Sequence, residues 1–423
     1  MAKAIDSGMS NIASHSKIYS SDNNVVSTSK NEKNVLDDMK ELLINIRREK
    51  KDFDLDNWIS CNNLKGKTER EIYVSLSEQY DKNIISHNQC LNTMKKSEPI
   101  IKDEIADAGY FKDSLSDFFY EVKQSIIVGK NDYLDVLKDV FSNYMDYVRE
   151  LRTAISSLSQ YVKAGEKDGH ISINYVRFYG ELKHIIKKYN EKGAHCFHQK
   201  LLFKHLSNGG YLRNINENNI FYLTEEKIKK SVESIERLLK EVKGVSTVKK
   251  YSLDETNNED GFNNDISVQF NCVIDLSDVE KFIRNIEIHL RLQNILLDSD
   301  IENKRKDFIL ENERRKKEIE DIIASGEIYE STQPLIDVDR EIAKIVVENN
   351  KKIEECSIYY DILQTEFDLF KKSLDSLEKK VNSNLDELSK KYSSANSNYD
   401  NFVKIVSSTM NTLLEMAKGF LRF

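Results

Sequence analysis

The side chains that could do chemistry are few and scattered. His195, Cys196 and His198 form the densest group of metal-ligating atoms, with His205 further along. A structural zinc site needs a second ligand pair at CxxC or HxxxH-like spacing, and that half is missing. These residues therefore read as ordinary, partly buried loop residues. The five cysteines, Cys61, Cys90, Cys196, Cys272 and Cys356, are odd in number, dispersed and without a CxxC pair. Reduced or buried thiols are the expectation, not a disulfide framework. The sequence contains no GxxxxGKS/T phosphate loop, no GxGxxG after a strand, no HExxH and no GxSxG. Carboxylates are plentiful, but no spacing pairs them. No catalytic residue, cofactor or metal is expected, and the chain does not read as an enzyme.

What remains is scaffold, and the scaffold is helical. The chain has 423 residues, of which 2 are proline and 14 glycine; a globular average is roughly 5% Pro and 7% Gly. All-β folds need more turn residues than this. Lys and Arg number 63 against 71 Asp and Glu, giving a net charge of −8. That balance argues against nucleic acid as a partner, which calls for a basic stripe. No apolar stretch approaches the ~18–20 residues of a membrane span.

Periodicity is the strongest signal. Leu134, Leu137, Phe141, Tyr144, Val148, Leu151, Ile155, Leu158 and Val162 recur in alternating steps of three and four, the seam of a left-handed coiled coil. Gly129 and Gly165 flank that span as boundary residues. A second seam runs from Ile353 through Cys356, Tyr360, Leu363, Phe367, Phe370, Leu374, Leu377 and Val381. It resumes at Leu385, Leu388, Tyr392, Ala395, Tyr399, Phe402 and Val406 and continues to Phe420. Two four-residue steps meet at Val381–Leu385, a stutter that locally unwinds the supercoil. Unbroken, the two helices would be ~45 Å and ~100 Å long. Pairing within one chain is the favoured arrangement.

Around these seams lie shorter elements. Residues 1–34 are rich in Ser, Asn and Asp and predict a disordered segment; they lack the apolar core of a Sec signal. Residues 35–94 read as an αα-hairpin, with Val35, Met39, Leu42, Leu43 and Ile46 on one arm. Ile72, Leu76, Tyr80, Ile84, His87 and Leu91 form the other, across a turn at Asn62–Gly66. Residues 110–128 add a short helix. A less regular stretch follows, punctuated by Gly193, Gly209 and Gly210. Glu226–Val242 predicts a helix, and residues 245–276 a β-hairpin whose tip is the polar run Glu255–Asn264. Ser277–Glu280 reads as a capping box. The charge-dense run 302–321 reads as a solvated helix face. Pro99 and Pro334 fall at expected junctions between helical sections.

One stretch is specific beyond its periodicity. Leu388–Thr409 reads LSKKYSSANSNYDNFVKIVSST, and the chain ends Lys418-Gly419-Phe420-Leu421-Arg422-Phe423. This resembles the C-terminus of the type III secretion needle-tip proteins, the invasion plasmid antigen D / SipD / BipD family. Weaker resemblance covers Asn131–Tyr189 and the hairpin at Val245–Leu276. Residues of about 291–375 look like an insertion relative to that family.

The resemblance implies a mainly α, elongated molecule with a long antiparallel intramolecular coiled coil, an N-terminal helical hairpin and a small mixed α/β domain. On this reading residues 1–34 are an export signal, and 35–128 a self-chaperone-like hairpin with its linker helix. Residues 129–165 and 340–423 form the coiled coil, and 166–339 the mixed domain. The implied function is capping the secretion needle, sensing host contact and controlling translocator assembly. The protein would be cytoplasmic before export and then sit at the needle tip on the bacterial surface. Implied partners are needle subunits, translocators, further copies in a pentamer, and bile-type steroids. Tyr392, Asn396, Asn401, Lys404, Phe420 and Phe423 are the expected needle contacts, with Asn396, Asn401 and Lys404 off the seam and exposed, while Tyr392 and Phe420 also lie on the seam, where packing within the chain is the favoured role. The seam itself is Leu137, Phe141, Tyr144, Val148, Leu151 and Ile155 against Leu388, Ala395, Tyr399, Phe402 and Val406. The competing reading is a coiled-coil adaptor with no part in secretion.

Overall fold

A computed structural model describes residues 64–105, 112–191, 196–206, 209–258, 261–292, 294–325, 334–355 and 359–420. The expected export signal, the first hairpin arm, His195, Cys61, Cys356 and Phe423 lie outside these residues. The helices are α1 (Glu69–Ile105), α2 (Lys112–Gly129), α3 (Asp135–Ser157), α4 (Tyr175–Asn190), α5 (Glu225–Lys240), α6 (Ser277–Leu292), α7 (Asp298–Ser325), α8 (Val338–Glu355) and α9 (Gln364–Phe420). The strands are β1 (Val162–Ala164), β2 (His170–Ile173), β3 (Phe197–His205), β4 (Tyr211–Ile215), β5 (Asn218–Tyr222), β6 (Val245–Asn258), β7 (Gly261–Ile274) and β8 (Tyr360–Leu363). The fold is mainly α with a small mixed α/β part. The chain divides into two compact units, one containing Trp58–Ile85 and Tyr120–Asp400, the other Ser86–Phe119 and Asn401–Phe423.

In the larger unit, α3 and α9 run antiparallel. Arg152 Nε donates to Asn382 Oδ1 at 3.0 Å near one end. The Phe141 and Tyr392 rings lie 5.5 Å apart in the middle, and Tyr399 Oη donates to the Ile126 carbonyl at 3.2 Å near the other. Heptad spacing forces this, because each apolar stripe can leave water only against another. Gly129 does not end a helix. α2 passes through a π turn at Lys130–Leu134 straight into α3. A single helical glycine costs only ~1 kcal/mol, which the burial of Ile126, Ile127, Tyr133 and Leu134 offsets. At the other end the seam overruns the helix: Leu158–Tyr161 tighten into a 3₁₀ turn and Val162 opens β1.

The C-terminal seam also begins later than its spacing suggests. Tyr360–Leu363 is a strand, β8, paired antiparallel to β2 in the three-stranded sheet β1-β2-β8. Tyr360 and Leu363 are accordingly exposed. A short apolar run fits both periods, and the free edge of β2 decides between them. α9 then covers 57 residues, about 85 Å at 1.5 Å each. Leu374, Leu377, Val381 and Leu385 are buried through the stutter. An aromatic cluster of Tyr175, Phe178, Phe282 and Phe370 holds the start of α9 against α4 and α6.

The mixed part is a five-stranded antiparallel sheet ordered β5-β4-β3-β7-β6. Ile228, Val232, Ile235 and Leu239 form the buried stripe of α5, which packs against the sheet. Residues read as irregular are strands here: Phe197–His205 pairs along β7 and Tyr211–Ile215 along β5. The polar run Glu255–Asn264 is not a long tip, because the β6–β7 ladder continues to Asn258↔Gly261. Backbone pairing needs no apolar side chains, so hydropathy misses it. α6 begins at Ser277, but its cap is Asp275, whose Oδ1 accepts from Ser277 N–H at 3.0 Å. That bond to the ionised form holds the Asp275 carboxyl below the usual range.

α7 and α8 pair within the region read as an insertion, with Arg305 Nη1 2.6 Å from Asp339 Oδ1. Asn349 clasps the backbone of Leu296 with both side-chain atoms, at 2.8 and 2.9 Å. In the smaller unit, Cys90, Met94 and Phe119 are buried from one part of the chain, and Phe402, Val403, Val406, Met410 and Leu413 from the other. Pro99 lies within α1 and is not a junction; the helix forgoes one backbone bond there.

Candidate interaction surface

The segment with the specific sequence, Leu388–Thr409, is unusual in how deeply it is buried. Leu388, Ser389, Tyr392, Ser393, Ser394, Ala395, Asn396, Asn398 and Tyr399 are all buried. A helix touching one partner hides only a stripe, so a second neighbour must be present. That neighbour is α1. Asn83 Nδ2 donates to the Asn396 carbonyl at 3.0 Å and to its Oδ1 at 2.9 Å. Asn396 Nδ2 in turn donates to the Tyr392 carbonyl at 3.2 Å. Ser393, Ser394 and Ala395 are small enough to let helices close in on both sides.

Polar contacts dominate the remaining attachment of α1. Tyr80 Oη donates to Asp135 Oδ1 at 2.8 Å, and Lys138 Nζ lies 4.2 Å from the Tyr80 ring centre. Burial, helped by the Asp135 carboxylate, pushes the Tyr80 phenol up. Arg152 forms an ion pair with Glu69 and lies 3.7 Å from Glu378, joining α1, α3 and α9. Thr68 and Glu71 form a capping box: Thr68 N–H donates to Glu71 Oε2 at 2.7 Å, and Glu71 N–H to Thr68 Oγ1 at 3.4 Å. Those bonds hold the Glu71 carboxyl below its usual range.

The expected contact residues divide three ways. Tyr392 and Asn396 are buried, at 2% and 1% exposure, so the expected exposure of Asn396 is corrected: it is off the α3 seam but under α1. Burial also pushes the Tyr392 phenol up. Asn401 and Lys404 are exposed. Phe420 ends α9, and its side chain, like Phe423, lies outside the described residues. Leu137, Phe141, Tyr144, Val148, Leu151 and Ile155, and across from them Leu388, Ala395, Tyr399, Phe402 and Val406, are all buried.

Sequence reading missed Asn83. The stripe it assigned to α1 used Ile84 and Leu91, whereas the buried positions are Leu76, Asn83, His87, Cys90 and Met94. The two stripes share Leu76 and His87, but Asn83 and Cys90 stand in the core where Ile84 and Leu91 were expected, and the polar members disguise the series. It also missed Asp132 and Arg213, which pair inside the larger unit with Nη1–Oδ2 2.5 Å and Nη2–Oδ1 2.6 Å. This bidentate pair ties the π turn to β4, and both side chains are 5% exposed.

The residues read as possible ligands do not gather. His198 Nδ1 lies 2.6 Å from Asn271 Oδ1, and His205 meets the Tyr211 ring edge-on. They are strand residues, not loop residues. Among the described residues no metal-ligating group of three or more forms, and no helix is long and apolar enough to cross a membrane. A cleft of about 380 Å³ opens between α4, α7 and α8, lined by Val176, Tyr179, Lys183, Ile295, Ile342 and Asn349.

Comparison with known proteins locates the family at the same segment. Residues 360–421 match the family described as type III secretion systems tip complex components. The chain is 51% identical over 45 residues to the cell invasion protein SipD of Salmonella typhi, and to that of Salmonella typhimurium. The match spans 11% of this chain and 13% of the length of each relative. The C-terminal region is thus similar to type III secretion tip-complex components, the SipD proteins among them.

Proposed function

We propose that the chain caps a type III secretion needle, senses host contact and controls the assembly of translocators, with α1 as a built-in guard on α9. The observation that carries this reading is the burial of Asn396 under α1, within the segment that matches the tip-complex family. A helix meant to meet another subunit there must first be uncovered. α1 suits that role because part of its hold on α9 is polar. A buried Asn pair fixes register at a cost in stability, and an exchange of polar partners is easier than the exposure of an apolar seam.

In this mechanism α1 stays in place in the free protein and keeps it from assembling early. At the needle it leaves, and the face containing Asn396 becomes available to needle subunits. Asn401 and Lys404, already exposed, make the first contact. A pentameric tip, export through a signal in residues 1–34, self-chaperoning by the hairpin and binding of bile-type steroids belong to the same reading.

The test is site-specific photo-crosslinking. A benzoyl-phenylalanine at position 401 or 404 of the full chain is expected to crosslink to purified needle subunits. A probe at exposed Leu310 of α7 should not. Crosslinks from Leu310 alone, or none from either α9 position at saturating subunit, would refute the assignment and favour the adaptor reading.

A further inference from the structure

Two cysteines separated in sequence by the whole sheet meet inside it. Phe197 of β3 is the register partner of Cys272 of β7, yet the preceding Cys196 N–H also donates to the Cys272 carbonyl, at 2.8 Å. Two residues of one strand thus face Cys272, as in a β-bulge. The extra residue places both cysteines at the same point of the β3–β7 pairing. Thr247 Oγ1 lies 3.4 Å from Cys272 Sγ on the other side. Both cysteines are buried, at 2% and 0% exposure. Neighbouring strands hold Cα atoms about 4.5–5.5 Å apart, inside the roughly 4.4–6.8 Å that a disulfide spans.

We propose that Cys196 and Cys272 are a disulfide site, open as two thiols in a reducing compartment and closed when the chain folds in an oxidising one. The bond would close residues 196–272, which contain β3 to β7 and α5, into one covalent loop. Before the sheet encloses them either thiol can act first; the case of Cys272 shows the balance. The Cys272 thiolate attacks one sulfur of a small disulfide such as oxidised glutathione and expels one glutathione thiolate. The Cys196 thiolate then attacks the Cys272 sulfur of that mixed disulfide and expels the second. Two electrons pass to the glutathione, and the two thiol protons end on the two glutathiones released. Because both sulfurs are buried in the finished sheet, the exchange runs on the folding chain.

The chemistry stands apart from the secretion reading, which supplies only a setting: a chain folded outside the cell meets oxidising conditions. The test is therefore done with purified full-length protein, away from any needle. The chain is refolded from urea in a reduced and oxidised glutathione mixture, alkylated, digested without reductant and mapped by mass spectrometry. A Cys196–Cys272 linked peptide is expected, together with a higher urea midpoint than in protein refolded with a phosphine reductant. The shift should vanish in Cys196→Ala, which removes the bond but leaves the sheet. Alkylated thiols at both positions after oxidative refolding would overturn the proposal. So would linkage of either one to Cys61, Cys90 or Cys356. The peptide map needs no variant, so a misfolded variant cannot obscure the result.

Discussion

Replacing Asn83 by Asp changes one atom group and should loosen α1 from α9. Asn83 is 3% exposed, and its Nδ2 serves two acceptors on Asn396, at 3.0 and 2.9 Å. An ionised aspartate has no proton to give, so both bonds are lost and two buried oxygens face a negative charge. At ~1 kcal/mol per bond the loss is about 2 kcal/mol, a factor of about 30 in the opening equilibrium. Desolvation of the carboxylate adds to that, so the factor is a floor. The pH dependence has a definite sign. Burial without donors raises the folded-state pKa of the introduced carboxyl above its unfolded value of about 3.9. The protonated form is thus the one the folded state accepts, and it can donate one of the two lost bonds. The defect should be small below the unfolded value and grow as pH rises through the folded one. Hydrogen exchange read by mass spectrometry is the assay, with peptides covering 69–85 and 388–400 compared against β3 and β7. Exchange in the first pair should quicken by at least the factor above at neutral pH, while the strands keep their protection. Unchanged exchange in 69–85 would refute the claim that Asn83 is a latch. Equal acceleration in β3 and β7 would mean global unfolding instead.

Two stability predictions follow from the larger unit. Asp132→Ala strands the buried guanidinium of Arg213 and should cost about 3–5 kcal/mol in urea unfolding, whereas the apolar double substitution D132L/R213M should cost much less; equal losses would show that the stranded charge is not what the single substitution costs. Gly244 has φ +77°, and a Cβ there would lie 2.5 Å from Tyr144 Oη and 2.9 Å from Asn384 Nδ2. Tyr144 is fully enclosed on the seam, and burial pushes its phenol up to about 12. Gly244→Ala therefore combines a left-handed backbone with overpacking and should cost roughly 2–5 kcal/mol by calorimetry, a loss below 1 kcal/mol counting against the contact.

The sequence by itself determined what depends on neighbours along the chain. Alternating steps of three and four make a stripe on a helix whatever surrounds it, so the α3 seam and the α9 seam from Leu374 onward were legible, as was the alternation from Ile266 to Ile274 in β7. The C-terminal run also carried the resemblance to the tip-complex family, because its polar residues are specific and not merely periodic. Tertiary structure decided the rest, where two distant segments compete or cooperate. Tyr360–Leu363 keeps a helical spacing but pairs with β2 because that edge has unpaired backbone groups to offer. Asn396 is polar, and local pattern places it in water; a third helix bearing Asn83 places it in the core, where a hydrogen bond replaces hydration. Cys196 and Cys272 are unremarkable at their spacing in sequence, and become a pair only because β3 and β7 are neighbours. Local periodicity fixes which face a residue occupies, while only the assembled fold fixes what covers that face.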